Sequence, residues 1–261
     1  AHNPGRTFLF SLGDNIQGDA MMYYFKSAGL GYAADGTELP EGEQINPLIA
    51  AFNAMDYDGM LLGNHEFNFG SEIFRGVFKD ANFPILGANV TDDGQYGINK
   101  VTYGSVDSAS VSEKITVRDA LELSVPSGDL NHPFIKIGFL GITNHRVPNY
   151  ELPSNIPGLT FSDPLETAAK VIPILQETDD AVVALTHIGF TEDPKSVEVD
   201  KNVDTNLAAT VSGIDAIIGA HSHTSPEYGF GNYKYLHTTV SGPDHNAVLI
   251  TQAYRYNRSE E

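Results

Sequence analysis

Cysteine is absent from all 261 residues, which rules out a disulfide framework and any thiolate site. A metal bound by this chain is therefore held by histidine, carboxylate or amide oxygen. Positive charge is scarce as well: 15 Lys and Arg stand against 34 Asp and Glu, a formal charge of −19. A surface that negative repels nucleic-acid backbone and anionic membranes, so nucleic acid is not expected as a partner. It suits a solvated, secreted or salt-tolerant protein, and the expected place of work is extracellular, periplasmic or at the cell surface. No apolar run approaches the length of a membrane span. The opening AHNPGRTFLF lacks the pattern of a signal peptide, which places any export signal upstream or already removed.

What is present is ordinary for a globular enzyme, with 41% apolar and 19% charged residues in a chain long enough to bury a core without staples. Apolar runs alternate with amphipathic stretches, the pattern of an α/β layered fold. Strands are expected over residues 7–12, 59–62, 84–87, 134–142, 180–186, 214–219, 235–240 and 247–253, and helices over 19–27, 45–55, 71–80, 163–177 and 203–211. The helix over 163–177 opens with Asp163 as N-cap, Pro164 at the first helical position and Glu166 completing a capping box. Pro173 should bend or shorten it. Residues 34–43 and 103–132 read as polar surface insertions without a clear period. With no internal repeat and no linker-like shift in composition, residues 1–261 read as one domain.

Four short segments each place a potential metal ligand just past an apolar strand. They are Gly13-Asp14 after TFLFSL, Gly63-Asn64-His65-Glu66 after GMLL, Thr186-His187 after AVVAL, and His221-Ser222-His223 after AIIGA. Ligands of α/β sheets bind in the crevice at the carboxyl ends of the strands, so four such segments can meet in one place. Singly, each has a structural reading. Asp14 can start a turn, His187 can be a hydrogen-bonded core histidine, and Asn64-His65 can be a turn. His221 and His223 point the same way if the strand continues through them. Together their shared context favours a metal site. A carboxylate can bridge two cations while imidazoles and an amide oxygen fill the remaining positions. Two such ions clamp both sides of a displacement at phosphorus, and a histidine that binds no metal can protonate the leaving oxygen.

GDNIQG, MDYDGMLLGNHEFNFG, ALTHIGF and GIDAIIGAHSHT resemble the motifs of the calcineurin-like metallophosphoesterases, in particular the 5'-nucleotidase branch. ANV at positions 88–90 and FIKIGFLGIT share the likeness, which runs from about Thr7 to Tyr254. The resemblance implies a four-layer α/β/β/α sandwich and two divalent ions, zinc, manganese or iron. It implies Asp14 as the bridging ligand, with Asn64, His187 and His221 completing one metal site and His223 serving the other. His65 would be the catalytic histidine, and Asn68 its neighbour. The implied reaction is metal-dependent hydrolysis of a small-molecule nucleotide to nucleoside and phosphate.

The chain departs from that pattern in three places. The family carries Asp-x-His on the strand before GD, and none precedes Asp14 here; His2 lies too close and follows no apolar strand, so it reads as a bystander. Either the true start lies upstream, or the protein has only one well-built metal site; for this chain, one tight site and a weak or empty second one are expected. Asn68 stands three residues after His65, where 5'-nucleotidases usually carry aspartate, and an asparagine orients the ring without supplying charge. That residue resembles the 2',3'-cyclic-nucleotide phosphodiesterase/3'-nucleotidase relatives, which makes a cyclic diester the alternative substrate. The family's C-terminal nucleotide-binding domain is not expected within this chain. A third possibility, of another class, is a non-catalytic descendant that keeps the fold for binding.

Overall fold

The computed structural model describes residues 7–18, 20–26, 37–38, 40, 44–105, 114–191, 200–223 and 238–252. In chain order the strands are β1 Phe10–Ser11, β2 Gly59–Leu61, β3 Ile85–Leu86, β4 Val90–Asp92, β5 Ile98–Val101, β6 Ile115–Arg118 and β7 Ala120–Pro126. They continue with β8 Phe134–Ile142, β9 Leu159–Phe161, β10 Ala181–Thr186, β11 Ala216–Gly219, β12 Thr238–Ser241 and β13 Ala247–Gln252. The α-helices are α1 Ala20–Phe25, α2 Pro47–Ala54, α3 Gly70–Phe78, α4 Val147–Tyr150, α5 Pro164–Gln176 and α6 Asp204–Thr210.

Two sheets form the centre. One is parallel throughout, in the order β1-β2-β3-β6-β5, and the other runs β12-β13-β11-β10-β8-β7 with antiparallel strands at both edges. Alternation along the strands tells which way each sheet faces. In the GMLL run, Met60 and Leu62 pack with Ile49 and Phe52 of α2 and Phe74, Val77 and Phe78 of α3. Leu61 between them turns to the opposite face and meets Leu86, Leu121, Phe139 and Leu185 from both sheets. On the far side of the second sheet, Leu140, Ile142, Val182, Ala184 and Ile217 pack against Ala168, Val171, Ile172 and Leu175 of α5 and Leu207 and Ala208 of α6. The order of layers is α/β/β/α, and a sheet buried on both faces explains why its strands read as continuous apolar runs.

The helices follow from their sequences. Asn46 caps α2, its side chain accepting from the Leu48 N–H at 3.0 Å, and Pro47 sits at the first helical position. Phe74, Val77 and Phe78 of α3 are spaced as one buried face. Asp163 accepts from the Glu166 N–H at 2.9 Å, and α5 continues three residues past Pro173 rather than ending there. Helix α1 spans a shorter stretch than expected and buries none of its residues; Asp19 and Ser27 lie outside the described residues.

The segment over 103–132 is not simply a polar insertion. It carries β6 and β7, which join different sheets. Ile115 and Val117 of β6 are buried while Thr116 and Arg118 are half-buried, and only four residues show that alternation. In β7 the charged and polar positions Glu122 and Ser124 face outward, as on an edge strand. Short length and polar outer faces hid β4, β5 and β9 in the same way. Most of the expected insertion over 34–43, the start of the strand expected over 235–240, and His2 lie outside the described residues.

Asp204 at the start of α6 is fully buried. Burial pushes its carboxyl up to about 7, while a hydrogen bond from Thr186 Oγ1 at 2.6 Å and the His187 charge pull the other way. Unfolded, the same group titrates near 3.8, so the folded chain binds this proton more tightly. The stability it lends is whole at low pH and is lost as pH rises through the window from about 4 to about 7. Asp204→Asn keeps the acceptor for Thr186 and removes the titration. At pH 8 the variant should be the more stable by up to about 4 kcal/mol, and at pH 4 the two should nearly match. Urea unfolding at both pH values measures this, and an equal loss at both would contradict it.

Candidate metal centre

Strands β1 and β2 pair in parallel, so the turns that follow them lie side by side. Gly13, at φ +91°, backs so closely onto Gly63 that a Cβ on it would fall 2.3 Å from the Gly63 nitrogen. A Cβ on Gly63 would in turn lie 2.4 Å from Asp14 Oδ1. Glycine is required at both places because the two backbones touch. Glu66, only 1% exposed, ties them together. Its carboxylate accepts from the N–H groups of Gly63 (2.7 Å), Asp14 (2.8 Å) and Asn15 (2.6 Å). Burial and the neighbouring Asp14 charge push the Glu66 carboxyl up, and the backbone N–H groups oppose them. A second brace crosses the crevice wall: Asn89 of the ANV segment donates to Thr143 O and accepts from the Thr143 N–H, and Thr143 Oγ1 donates to Leu62 O.

The ligand-type groups converge from both sheets. Asp14 follows β1, Asn64 follows β2, His187 follows β10, and His221 lies two residues past β11, which pairs in parallel with β10. His187, 2% exposed, places Nε2 3.0 Å from Asp14 Oδ2 and 3.1 Å from Asn64 Oδ1. His221 Nδ1 lies 2.9 Å from the same Asn64 oxygen. One ligand atom each from Asp14, His187 and His221 falls within 4.8 Å of the others. Burial alone would raise the Asp14 carboxyl, but the His187 charge and hydrogen bonds from His187 and the His65 N–H hold it well below the usual range. Burial would lower His187, but Asp14 beside it raises it. Burial, with the His187 charge next, brings His221 down to about 4.

The donor set fits a cation. His187 Nδ1 donates to Leu12 O at 2.5 Å, which leaves Nε2 as the atom facing Asp14 and Asn64. In a neutral ring that nitrogen carries a lone pair, and it meets two oxygens that also offer only lone pairs. A proton or a metal must lie among the three atoms. Imidazole, carboxylate and amide oxygen together suit zinc, manganese or iron. The backbone carries strain at these positions too. Asp14 at φ +60° and His221 at φ +84° are left-handed without being glycine, a conformation that clusters at functional sites.

The strand does not continue through His221 and His223. It ends at Gly219, both histidines have positive φ, and they do not share a face. His221 turns into the crevice; His223 is exposed and stands outside the close ligand group. His65 sits at the rim in a 3₁₀ turn, its N–H donating to Asp14 Oδ1 at 2.8 Å. Its Nδ1 lies 2.9 Å from Gln17 Oε1 and 2.6 Å from Asn68 Oδ1. The Asn68 amide nitrogen donates onward to Glu151 Oε2. Glu151 follows no apolar strand and carried no signal in the sequence, while Gln17 lies within the GDNIQG motif without standing out from it. Beside His221 opens a cavity of about 240 Å³, whose lining includes Asn144, Arg146, Tyr150, Asp200 and Ser222.

A four-layer sandwich in which each sheet contributes ligand-bearing turns to one crevice is the metallophosphoesterase architecture. The chain belongs to the calcineurin-like phosphoesterase family, whose pattern matches residues 2–225. Enzymes of this family use divalent metals. The chain is 31% identical over 246 residues to the trifunctional nucleotide phosphoesterase protein YfkN of Bacillus subtilis, covering 92% of this chain and 15% of that one. It is 30% identical over 217 residues to the 2',3'-cyclic-nucleotide 2'-phosphodiesterase/3'-nucleotidase of Salmonella typhimurium, covering 82% and 29%. The fold matches the crystal structure of a 5'-nucleotidase precursor from Thermus thermophilus with a TM-score of 0.65 at 22% identity, over 95% of this chain and 39% of that one. The chain thus spans less than a third of the two curated relatives. Among the described residues, no helix is long and apolar enough to cross a membrane.

Proposed function

We propose that this chain acts as one catalytic domain that hydrolyses nucleotide phosphoesters with divalent metal, and that its substrate is a nucleoside 5'-monophosphate. The observation that carries the reading is the meeting of Asp14 Oδ2, Asn64 Oδ1, His187 Nε2 and His221 Nδ1 at the strand ends of both sheets. A divalent ion held by these residues supplies positive charge for the phosphoryl oxygens and lowers the pKa of water. Asp14 offsets part of that charge. The Leu12 carbonyl fixes His187 with Nε2 inward, and the Glu66 tether holds the Asp14 and Asn64 turns in register. His65, with Nδ1 already bonded to Gln17 and Asn68, presents Nε2, which in the doubly protonated ring gives its proton to the leaving oxygen and later regains one from water.

His223 serves a second ion in this proposal, and zinc, manganese or iron fills the sites. The net charge of −19 suits a place of work outside the cytoplasm. Asn68 favours a second reading, a 2',3'-cyclic diester as substrate, and the Salmonella relative is named for that activity. A substrate panel separates the two. The full chain, supplied with manganese, is expected to release phosphate slowly from nucleoside 5'-monophosphates with little base preference, and to lose that activity to chelator. Opening of 2',3'-cyclic nucleotides without attack on 5'-monophosphates would select the second reading. No metal-dependent hydrolysis of either, or of an aryl phosphate, would contradict both.

A further inference from the structure

Resting on that reading of His65, we propose that Glu151 is a positioning residue which acts through the Asn68 amide to set the tautomer of His65. Glu151 lies at the C-terminal end of α4, 83 residues from Asn68 in the chain. Its two oxygens have separate tasks. Oε1 accepts from Asn155 Nδ2 at 2.9 Å and from the Leu152 N–H at 2.8 Å. Oε2 accepts from Asn68 Nδ2. Asn155 Nδ2 also donates to Asn68 O at 2.8 Å, so backbone and side chain of Asn68 are held from the same side.

An ionised carboxylate has no proton to offer, so only the nitrogen of the Asn68 amide can face Glu151. That choice turns Oδ1 toward His65 Nδ1, at 2.6 Å. Gln17 Oε1 approaches the same nitrogen at 2.9 Å. With amide oxygens on its Nδ1, the ring keeps a proton there, and Nε2 is the atom that takes up a second proton and passes it to the leaving oxygen. Aspartate beside a histidine does this directly; here an amide carries the orientation, and the charge stands one hydrogen bond further back. The competing role for Glu151 is that of a staple between α4 and the turn after β2, with no bearing on the ring.

The test uses the full chain with Glu151→Gln and Glu151→Ala. Glutamine keeps the size but can present its own amide N–H to Asn68, which opens the flipped orientation. Nitrogen-15 spectra of the His65 ring should show a single Nδ1–H form in the parent and a mixture of tautomers in both variants. Turnover of a nucleoside 5'-monophosphate should fall about tenfold, with KM nearly unchanged and less than about a twofold loss on p-nitrophenyl phosphate, whose leaving group needs little protonation. In a His65→Ala background, Glu151→Gln should cost nothing further. An unchanged tautomer, or equal losses on both substrates that persist without His65, would make Glu151 a staple and overturn the proposal. If the parent hydrolyses neither substrate, the nucleotidase reading fails, and the ring spectra still decide the role of Glu151.

Discussion

Asp14→Asn is expected to strip the metal from this chain and to lower turnover on the order of a thousandfold, without unfolding it. Among the described residues, Asp14 is the carboxylate of the close ligand group, with two imidazoles and an amide as its companions. Asparagine keeps the shape and the acceptor for the His65 N–H but removes the charge that offsets a dication. Losing an outer partner of a metal ligand already costs 10- to 100-fold in affinity or activity, so losing the ligand charge itself costs more. The fold should survive because Glu66 grips the Asp14 backbone N–H and not its side chain. Elemental analysis, with thermal unfolding as the control, measures both halves. A variant that keeps its metal and its turnover would remove Asp14 from the coordination shell.

His65→Ala should cost on the order of a hundredfold in turnover while metal content stays unchanged. The contact of His65 with the ligand group is its backbone N–H on Asp14 Oδ1, and alanine retains that bond. Its ring is engaged elsewhere, by Gln17 and Asn68. The loss should be larger for a nucleoside leaving group than for an aryl one, because the poorer leaving group needs the proton more. Metal analysis paired with kinetics on both substrates separates a proton donor from a ligand. Loss of bound metal in this variant would place His65 among the ligands and overturn the mechanism.

Asp14, Asn64, His187 and His221 were legible in the sequence because each follows an apolar strand, and strands β1, β2, β10 and β11 deliver their following turns to one crevice. The layers were legible only through resemblance, since a run such as GMLL faces two cores at once and shows no period. Residues that act across long separations were not legible. Glu151 reaches Asn68 over 83 positions, and Glu66 reaches the Asp14 turn over 52, so no local spacing announces either. The reading of His221 and His223 as a strand pair failed for a different reason. It assumed extended backbone, and the chain turns left-handed at both residues. Likewise β6 hid within a polar stretch, because two buried residues, Ile115 and Val117, are too few to mark a period.

If one metal site built on Asp14, Asn64, His187 and His221 drives phosphoester hydrolysis, metal binding and catalysis must rise together. Titrating chelator-stripped chain with manganese, while recording metal bound and phosphate released from an aryl phosphate in the same samples, shows whether they do. One tight equivalent per chain is expected, with hydrolysis that is absent without metal and rises with binding. Both should vanish together in Asp14→Asn. Hydrolysis that persists in the stripped chain, or tight binding undiminished in Asp14→Asn, would contradict it.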